Sequence, residues 1–302
     1  MGNIPAEYDY INAYTSRRNP STVHASDTGL AWYFKRYLLQ KAMSVFEWKL
    51  PEHWDRDFFL YTLYCWGNVA VLNTTKFGAI PQAATLSGYN VFYRPTKATI
   101  TNPVLRGLKT LDIDKQCTII KLQPDYGGIL DIVEYYADML ALCSEGASIN
   151  VMNSKLAYVF TADNKTIAES FKKMFDTVAS GQPAVVIDKN MLNDDGTPAW
   201  STFTQNLREN YIAGDILQDM KKWEQEFDTR IGIPNANTDK RERLITDEVN
   251  ANNFETKSLC ELWLDTLKIG IEKTNAMFDL DISVDWREGL KQSITEEVQD
   301  ND

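Results

Sequence analysis

Histidines are the side chains that most often act as general bases near neutral pH, and this sequence contains only two, His24 and His53. His24 lies in a polar N-terminal segment. His53 stands between Pro51 and Trp54, where a role in a loop or at a helix entry is favoured over catalysis. The GxxxxGK[ST], GxGxxG, HExxH and GxSxG motifs are also missing from the sequence. The sequence therefore predicts no catalytic residues.

Metal and thiol chemistry have little more support. The four cysteines are widely spaced and form no CxxC pair, which predicts reduced thiols of a cytosolic chain: Cys65, Cys117, Cys143 and Cys260. Asp194 and Asp195 could bind a metal, but the run Asn-Asp-Asp-Gly at 193–196 is typical of a turn. We therefore predict no metal, no cofactor and no enzyme. The alternative at this level is a metal-dependent hydrolase built on Asp and Glu clusters.

Composition excludes some classes of protein and favours others. The 302 residues carry a net charge of −11, which argues against a generally basic nucleic-acid binder but allows local basic sites. No run approaches 18 apolar residues, and the first residues resemble neither a secretory signal nor a myristoylation site, so no membrane association is expected. The 8 Trp, 14 Tyr and 13 Phe favour broad packed surfaces, including subunit interfaces.

The first half of the chain predicts two helices followed by a small β unit. Apolar residues at helical spacing predict a helix from Thr28 to about Trp48. A second helix should begin after the N-cap Asp55 and end at Gly67. Residues 68–122 read as a mostly antiparallel β unit with strands at Val69–Leu72, Tyr89–Tyr93 and Cys117–Leu122.

The second half predicts two long helices with a compact α/β unit between them. The long helices are expected at 129–152 and about 207–231, ending at Gly232. The unit between them has a predicted strand, helix and strand at Leu156–Thr161, Thr166–Ala179 and Pro183–Asp188. A polar segment at 235–256, a third helix at about 256–278, a strand at Leu280–Trp286 and an acidic tail complete an α+β chain.

The polar segment carries the most specific pattern in the sequence. Residues 232–250 read GIPNANTDKRERLITDEVN, and their pattern GIxNANxxKxERxxTDEV closely resembles the portal proteins of small podoviruses, also called upper collar or head–tail connector proteins. The run Val45-Phe46-Glu47-Trp48 looks like the helix end Leu-Phe-Glu-Trp of that family, and Leu86-Ser87-Gly88 looks like one of its turns. The resemblance covers roughly residues 29–288.

The resemblance implies a portal fold: long stem helices, a small α/β clip insert and a β-containing wing, in a ring that is generally dodecameric. The implied regions are a flexible N-terminal arm (1–28), wing (29–128), stem helix (129–152), clip (153–206), stem helix (207–232), channel loop (233–256), wing helix and strand (257–288) and acidic tail (289–302).

The resemblance also implies site residues and partners. Lys240, Arg241 and Arg243 match basic residues of the family's channel loop and are expected to contact DNA phosphates. The remaining implied channel-loop residues are Asn235, Asn237, Thr246, Asp247 and Glu248. The implied partners are other copies of the chain, double-stranded DNA, major capsid and scaffold proteins, a packaging ATPase, a packaging RNA, and lower collar and tail proteins. The implied location is the portal vertex of the virion, after synthesis in the host cytoplasm.

Charge patterning bears on how such a channel would treat DNA. The helix at 129–152 has four acids and no base, which predicts an acidic lumen interrupted by a few basic rings, so that phosphates slide instead of binding tightly. A competing interpretation is that Arg243 is neutralised by Asp239 and Asp247, each four residues away. The only basic pair of the arm, Arg17-Arg18, is opposed by Glu7 and Asp9, which predicts weak or no RNA binding. A virion adaptor ring without DNA contact is a further alternative.

Overall fold

Helices and antiparallel sheets share the chain, which confirms the α+β class. The computed structural model describes residues 23–105, 107–153, 159–162, 165–179, 200–203, 211–233 and 246–287. The α-helices within them are α1 Thr28–Met43, α2 Arg56–Trp66, α3 Leu130–Asn153, α4 Lys165–Ala179, α5 Ala213–Ile231 and α6 Thr246–Phe278. The strands are β1 Phe46–Lys49, β2 Asn68–Thr74, β3 Gly78–Gln82, β4 Thr85–Tyr89, β5 Pro95–Asn102, β6 Gly107–Asp112, β7 Cys117–Lys121, β8 Val159–Ala162, β9 Trp200–Phe203 and β10 Ser283–Trp286.

The first helix is shorter than predicted. Its start is held by Asp27, whose Oδ1 accepts hydrogen bonds from the backbone N–H groups of Gly29 and Leu30 at 2.9 and 3.0 Å. It ends at Met43, and residues 46–48 of the predicted helix instead belong to strand β1, which pairs antiparallel with β10. Phe46 and Trp48 are buried while the residues between and after them are exposed, an alternation that only a strand satisfies.

The second helix has the ends that the sequence predicts. Asp55 Oδ1 accepts from the N–H of Phe58 at 2.9 Å, which satisfies one of the unpaired donors of the first turn. Gly67 ends the helix with φ +80°, and its N–H donates to the Leu63 carbonyl at 2.8 Å.

The β unit consists of two antiparallel three-stranded sheets, ordered β3-β2-β7 and β4-β5-β6. The predicted strand at Tyr89–Tyr93 is wrong, because residues 90–94 form the turn between β4 and β5. Asn90 builds that turn: its Oδ1 accepts from the N–H groups of Phe92 and Arg94 at 2.8 and 3.1 Å. The turn predicted at Leu86–Gly88 is also wrong, because these residues lie inside strand β4, where Gly88 has φ +67°.

The chain divides into two compact units, residues 1–142 with 220–302 and residues 143–219. The smaller unit takes in the predicted clip together with the adjoining ends of α3 and α5. Its strand β8 pairs antiparallel with β9, a strand that the sequence did not predict. The predicted strand at Pro183–Asp188 lies outside the described residues.

The two long helices differ from prediction mainly at one end. The helix predicted at 129–152 is α3, at Leu130–Asn153. The helix predicted from 207 is described from residue 211 on: residues 211 and 212 are not helical, and α5 begins at Ala213, while 207–210 lie outside the described residues. The Ile212 carbonyl accepts from the Ile216 N–H at 3.0 Å, and the Ile212 N–H donates to Asn150 Oδ1 at 3.0 Å, which caps the start of α5.

The core of the larger unit joins these helices to the rest. Tyr136 of α3 packs edge-to-face on Phe227 and Trp223 of α5, with ring centroids 5.6 and 6.2 Å apart. α6 packs on β7 through a close approach at Gly270, where a Cβ would lie 3.0 Å from the Ile119 carbonyl oxygen. Among the residues that the structure describes, the largest fully buried side chains are Tyr64, Phe46, Phe59, Phe227, Leu38 and Leu63.

Candidate functional site

The predicted DNA-contact residues fall in a segment of the chain that the structure leaves undescribed. Lys240, Arg241, Arg243, Asn235 and Asn237 lie between Ile233 and Thr246, outside the described residues. The structure describes where this segment leaves α5 and where it enters α6.

The prediction for Thr246, Asp247 and Glu248 needs correction. These residues were predicted to lie in a channel loop reaching to 256, but they form the first turn of α6. Two acids in the first turn favour a helix start through the helix dipole, and the packed part of the helix further along promotes its extension. A role of these residues in a channel remains a prediction.

The point where the segment leaves α5 is fixed in the core. Ile231 is fully buried, and its carbonyl accepts a hydrogen bond from Cys260 Sγ of α6 at 3.1 Å. Gly232 has φ +80°, as its predicted role at the helix end requires, and the Ile233 N–H returns to the Asp228 carbonyl at 2.9 Å. The polar segment therefore starts from a position that two helices hold in place.

Acids of α3 are paired within the chain. Glu134 forms an ion pair with Lys35 of α1. Asp138 Oδ2 lies 2.8 Å from Nδ1 of His24, so this histidine, predicted to belong to a flexible arm, contacts α3. The count of four acids and no base in the predicted helix therefore overstates the negative charge available to a channel, because two of these acids have cationic or titratable partners.

Acids of α5 are compensated in the same way by a single lysine of α1. Lys41 Nζ lies 2.8 Å from Glu224 Oε1 and 2.6 Å from Asp228 Oδ1, and the Tyr37 hydroxyl donates to the same Glu224 oxygen at 2.6 Å. We call these four residues the Lys41 cluster.

The helices α1 and α3 have complementary charges, because α1 contains no acid and the predicted 129–152 helix contains no base.

Burial and pairing shift the titration of this cluster in opposite directions. Burial raises the pKa of Asp228 above its usual value despite the lysine. Burial also opposes ionisation of Glu224, but its bonds to Lys41 and Tyr37 prevail and lower its pKa. Burial alone would lower the pKa of Lys41, and the two carboxylates together raise it. The lysine therefore holds its charge between two helices.

The remaining chemistry-bearing residues have structural surroundings. His53 Nε2 lies 2.9 Å from the Ala79 carbonyl oxygen, which also accepts from Trp54 Nε1 at 2.8 Å. All four cysteines are free thiols, and burial raises the pKa of Cys117 to about 11. The described part of the chain contains no group of three or more His, Cys, Asp or Glu side chains placed to hold a metal ion. Among the described helices, none combines the length and the apolar character needed to cross a bilayer.

Comparison with known proteins gives one family and several similar structures. The family described as Phage Connector (GP10) matches residues 27–291. A chain in the portal and tail of native bacteriophage P68 is similar at 17% identity, with 90% of this chain and 93% of that chain covered and a TM-score of 0.45. A chain in the virion of a native gene transfer agent particle is similar at 9% identity, with 98% and 88% covered and a TM-score of 0.41.

Proposed function

The chain belongs to the phage connector (GP10) family, and from that premise we propose how its parts handle DNA. It is a head–tail connector, or portal, protein of a virion, and its family is one of structural proteins that act as oligomeric rings between capsid and tail. In our proposal the ring is a homododecamer at one capsid vertex, through which double-stranded DNA enters and leaves. A separate ATPase supplies the packaging energy, so the chain itself has no catalytic step.

We assign regions of the ring to regions of the chain. Helices α3 and α5 form the stem, residues 153–206 the clip, and residues 29–128 and 257–288 the wing. The clip is the docking site for the packaging ATPase and later for the lower collar and tail, and the wing faces the capsid and scaffold proteins. The residues 234–245 form the channel loop, shorter than the predicted 233–256 because α6 begins at Thr246.

The observation that carries the DNA assignment is the basic motif between α5 and α6. Lys240, Arg241 and Arg243 follow Ile231, whose carbonyl accepts the hydrogen bond from Cys260 of α6. A ring of identical subunits carries these three bases once in every subunit. Repetition around the ring then gives transient phosphate contacts without any single tight site.

The ring itself is tested by the native mass of the purified protein, with negative-stain images of the same fraction. We expect particles of about twelve times the 34.5 kDa chain mass with a central hole. Where the protein alone stays monomeric, the same measurement on material released from assembled particles decides the matter. A monomer there too would contradict the proposal.

Removing the three bases should impair DNA handling and leave assembly intact. For the variant Lys240→Ala, Arg241→Ala and Arg243→Ala we expect rings of normal mass but a loss of packaged or retained DNA of about tenfold, because each lost contact removes counterion-release affinity. Packaging is measured as nuclease-protected DNA per particle, and retention as the fraction that survives storage.

The matched control removes three exposed bases of the β unit, Lys76→Ala, Arg94→Ala and Lys97→Ala. It has the same change in charge, and because these bases lie in the proposed wing, packaging is compared per assembled particle, where it should be normal. Wild-type packaging and retention in the loop variant would contradict the assignment of these residues and favour a ring that does not contact DNA.

A further inference from the structure

The outward face of α6 carries an apolar stripe that the fold of one subunit leaves exposed. Leu262, Ile269 and Ala276 lie at seven-residue spacing, and the first two are 47% and 60% exposed. The opposite face of the helix is buried in the core and against β7, as the side chains of Trp263 and Leu267 show. Seven-residue spacing places the side chains of the stripe in line on one helix face, two turns apart, and the exposed acids Asp265 and Glu272 lie between them.

Charged side chains flank the stripe with a net negative charge. The acids Asp265 and Glu272 and the base Lys268 are all exposed there. The nearby Lys273 is bound by Asp114 of the same subunit, with 3.0 Å between Nζ and Oδ2. Apolar side chains with acids between them are suited to a partner helix that is apolar and basic.

Such a helix face exists on the same chain, at α1. Trp32 and Tyr33 are 58% and 62% exposed, and Arg36 and Gln40 are exposed beside them, opposite the buried Leu38. α1 contains three bases and no acid. Lys35 and Lys41 are engaged with acids of α3 and α5, so Arg36 is the base that faces outward.

Trp32 already has one attractive contact within its own subunit. Lys35 Nζ lies 5.7 Å from the centre of the Trp32 ring, and the same lysine is bound to Glu134. Large exposed aromatic side chains are enriched among the residues that dominate protein interfaces.

We propose that the α1 face of one subunit packs on the α6 face of the next subunit in the ring. Trp32 and Tyr33 cover the stripe of Leu262 and Ile269, and Arg36 meets the acids beside them. The two faces are different surfaces of one chain, so the contact is head-to-tail and can be repeated around a closed ring. This inference rests on the proposed ring and identifies the surfaces that build it.

Cysteine cross-linking tests which faces meet. We would replace Tyr33 or Arg36 on α1, and Ile269 or Glu272 on α6, by Cys in the four possible pairs, and oxidise the ring fraction. A disulfide needs Cα atoms within about 7 Å, so at least one pair should form it. In that pair we expect more than about half of the subunits in a ladder of covalent oligomers up to the full ring on a non-reducing gel, as repeated head-to-tail contacts require.

Controls separate this contact from other ones. Each single Cys variant should give no ladder, and neither should Tyr33→Cys combined with Val104→Cys, an exposed position on the β unit. Separately, Ile269→Asp should weaken ring assembly by about tenfold or more, while the thermal unfolding of the monomer stays unchanged because the side chain is exposed.

The outcomes distinguish a failure of the proposed interface from a failure of the proposed ring. Rings of normal mass in which none of the four pairs cross-links would overturn the interface and leave the proposed function standing. Cross-linking by Tyr33→Cys alone, stopping at dimers, would also overturn it, because it indicates a symmetric contact of α1 with itself. The absence of rings in wild-type protein from assembled particles would instead overturn the proposed function.

Discussion

Replacing Gly67 with alanine is expected to destabilise the protein by about 3–5 kcal/mol, because the new methyl group has no space and the backbone is left-handed. A Cβ at Gly67 would lie 2.1 Å from the Gly127 carbonyl carbon and 2.3 Å from the Tyr126 carbonyl oxygen, and φ is +80°. This close approach sets the start of α3, since the Ile129 N–H donates to the Tyr64 carbonyl of α2 at 2.9 Å. Urea unfolding measures the change in free energy.

Two other glycines separate the clash from the backbone strain. Gly78 and Gly107 have φ of +69° and +88°, but a Cβ at either would have no atom within 4 Å. Alanine at these positions should cost only the left-handed strain, about 1–2 kcal/mol. An equal cost at all three positions would show that the connection between β7 and α3 does not pack against the end of α2.

Replacing Lys41 with methionine is expected to destabilise the protein by about 2–4 kcal/mol at pH 7, because it leaves the buried carboxylate of Asp228 and the partly buried one of Glu224 without their cation. Methionine keeps most of the aliphatic stem, so the loss reports mainly on the charge. The control Lys49→Met removes an ion pair with Asp281 in which both side chains are exposed, by 64% and 82%, and should cost less than about 1 kcal/mol. Thermal or urea unfolding measures both.

The effect of Lys41→Met should shrink as the pH falls. In the wild-type protein the pKa of Glu224 is lowered, so its contribution to stability is present above its unfolded pKa and is lost as pH falls through the folded pKa. Without the lysine, burial raises both carboxyl pKa values in the folded state. Their protonation then relieves the penalty below about pH 5. A loss in stability that is independent of pH between 7 and 4 would contradict this account of the Lys41 cluster.

A triple variant provides the remaining control for the cluster. Adding Glu224→Gln and Asp228→Asn to Lys41→Met removes the unpaired charges, and it should recover more than about half of the lost stability. Failure to recover would mean that the lysine acts mainly through packing between α1 and α5.

Local signals in the sequence predicted the elements whose ends are encoded by one or two residues. Asp55 and Gly67 delimit α2, and Gly232 ends α5, because a cap or a left-handed residue acts within a single turn. The family resemblance is also local, since it rests mainly on the run at 232–250. The same locality misled the prediction at 89–93, where aromatic residues suggested a strand and the side chain of Asn90 builds a turn.

Contacts between distant residues were beyond the sequence patterns. Strand β1 pairs with β10, with Phe46 opposite Trp286. In the sequence, an alternation of apolar and polar residues over only four positions next to a helix cannot be distinguished from a continuation of that helix. The residues that pair with Lys41 are likewise known only from the tertiary structure. The sequence nevertheless contained a signal for the pairing of α1 with α3, because α1 carries only bases and the predicted 129–152 helix only acids. Counting the acids of that one helix, without comparing it with α1, led instead to the prediction of a channel lining.

By itself, the sequence determined the family, the α+β class, the long helices and the basic motif at Lys240–Arg243, because each depends on residue types at short spacing. The tertiary structure decided which charges are neutralised, where α5 and α6 begin, and which helix faces stay exposed. These depend on the burial and pairing of residues more than 90 positions apart, such as Lys35 with Glu134 and Lys41 with Glu224. Only packing brings such residues within a few ångströms, where burial strengthens the interaction between their charges.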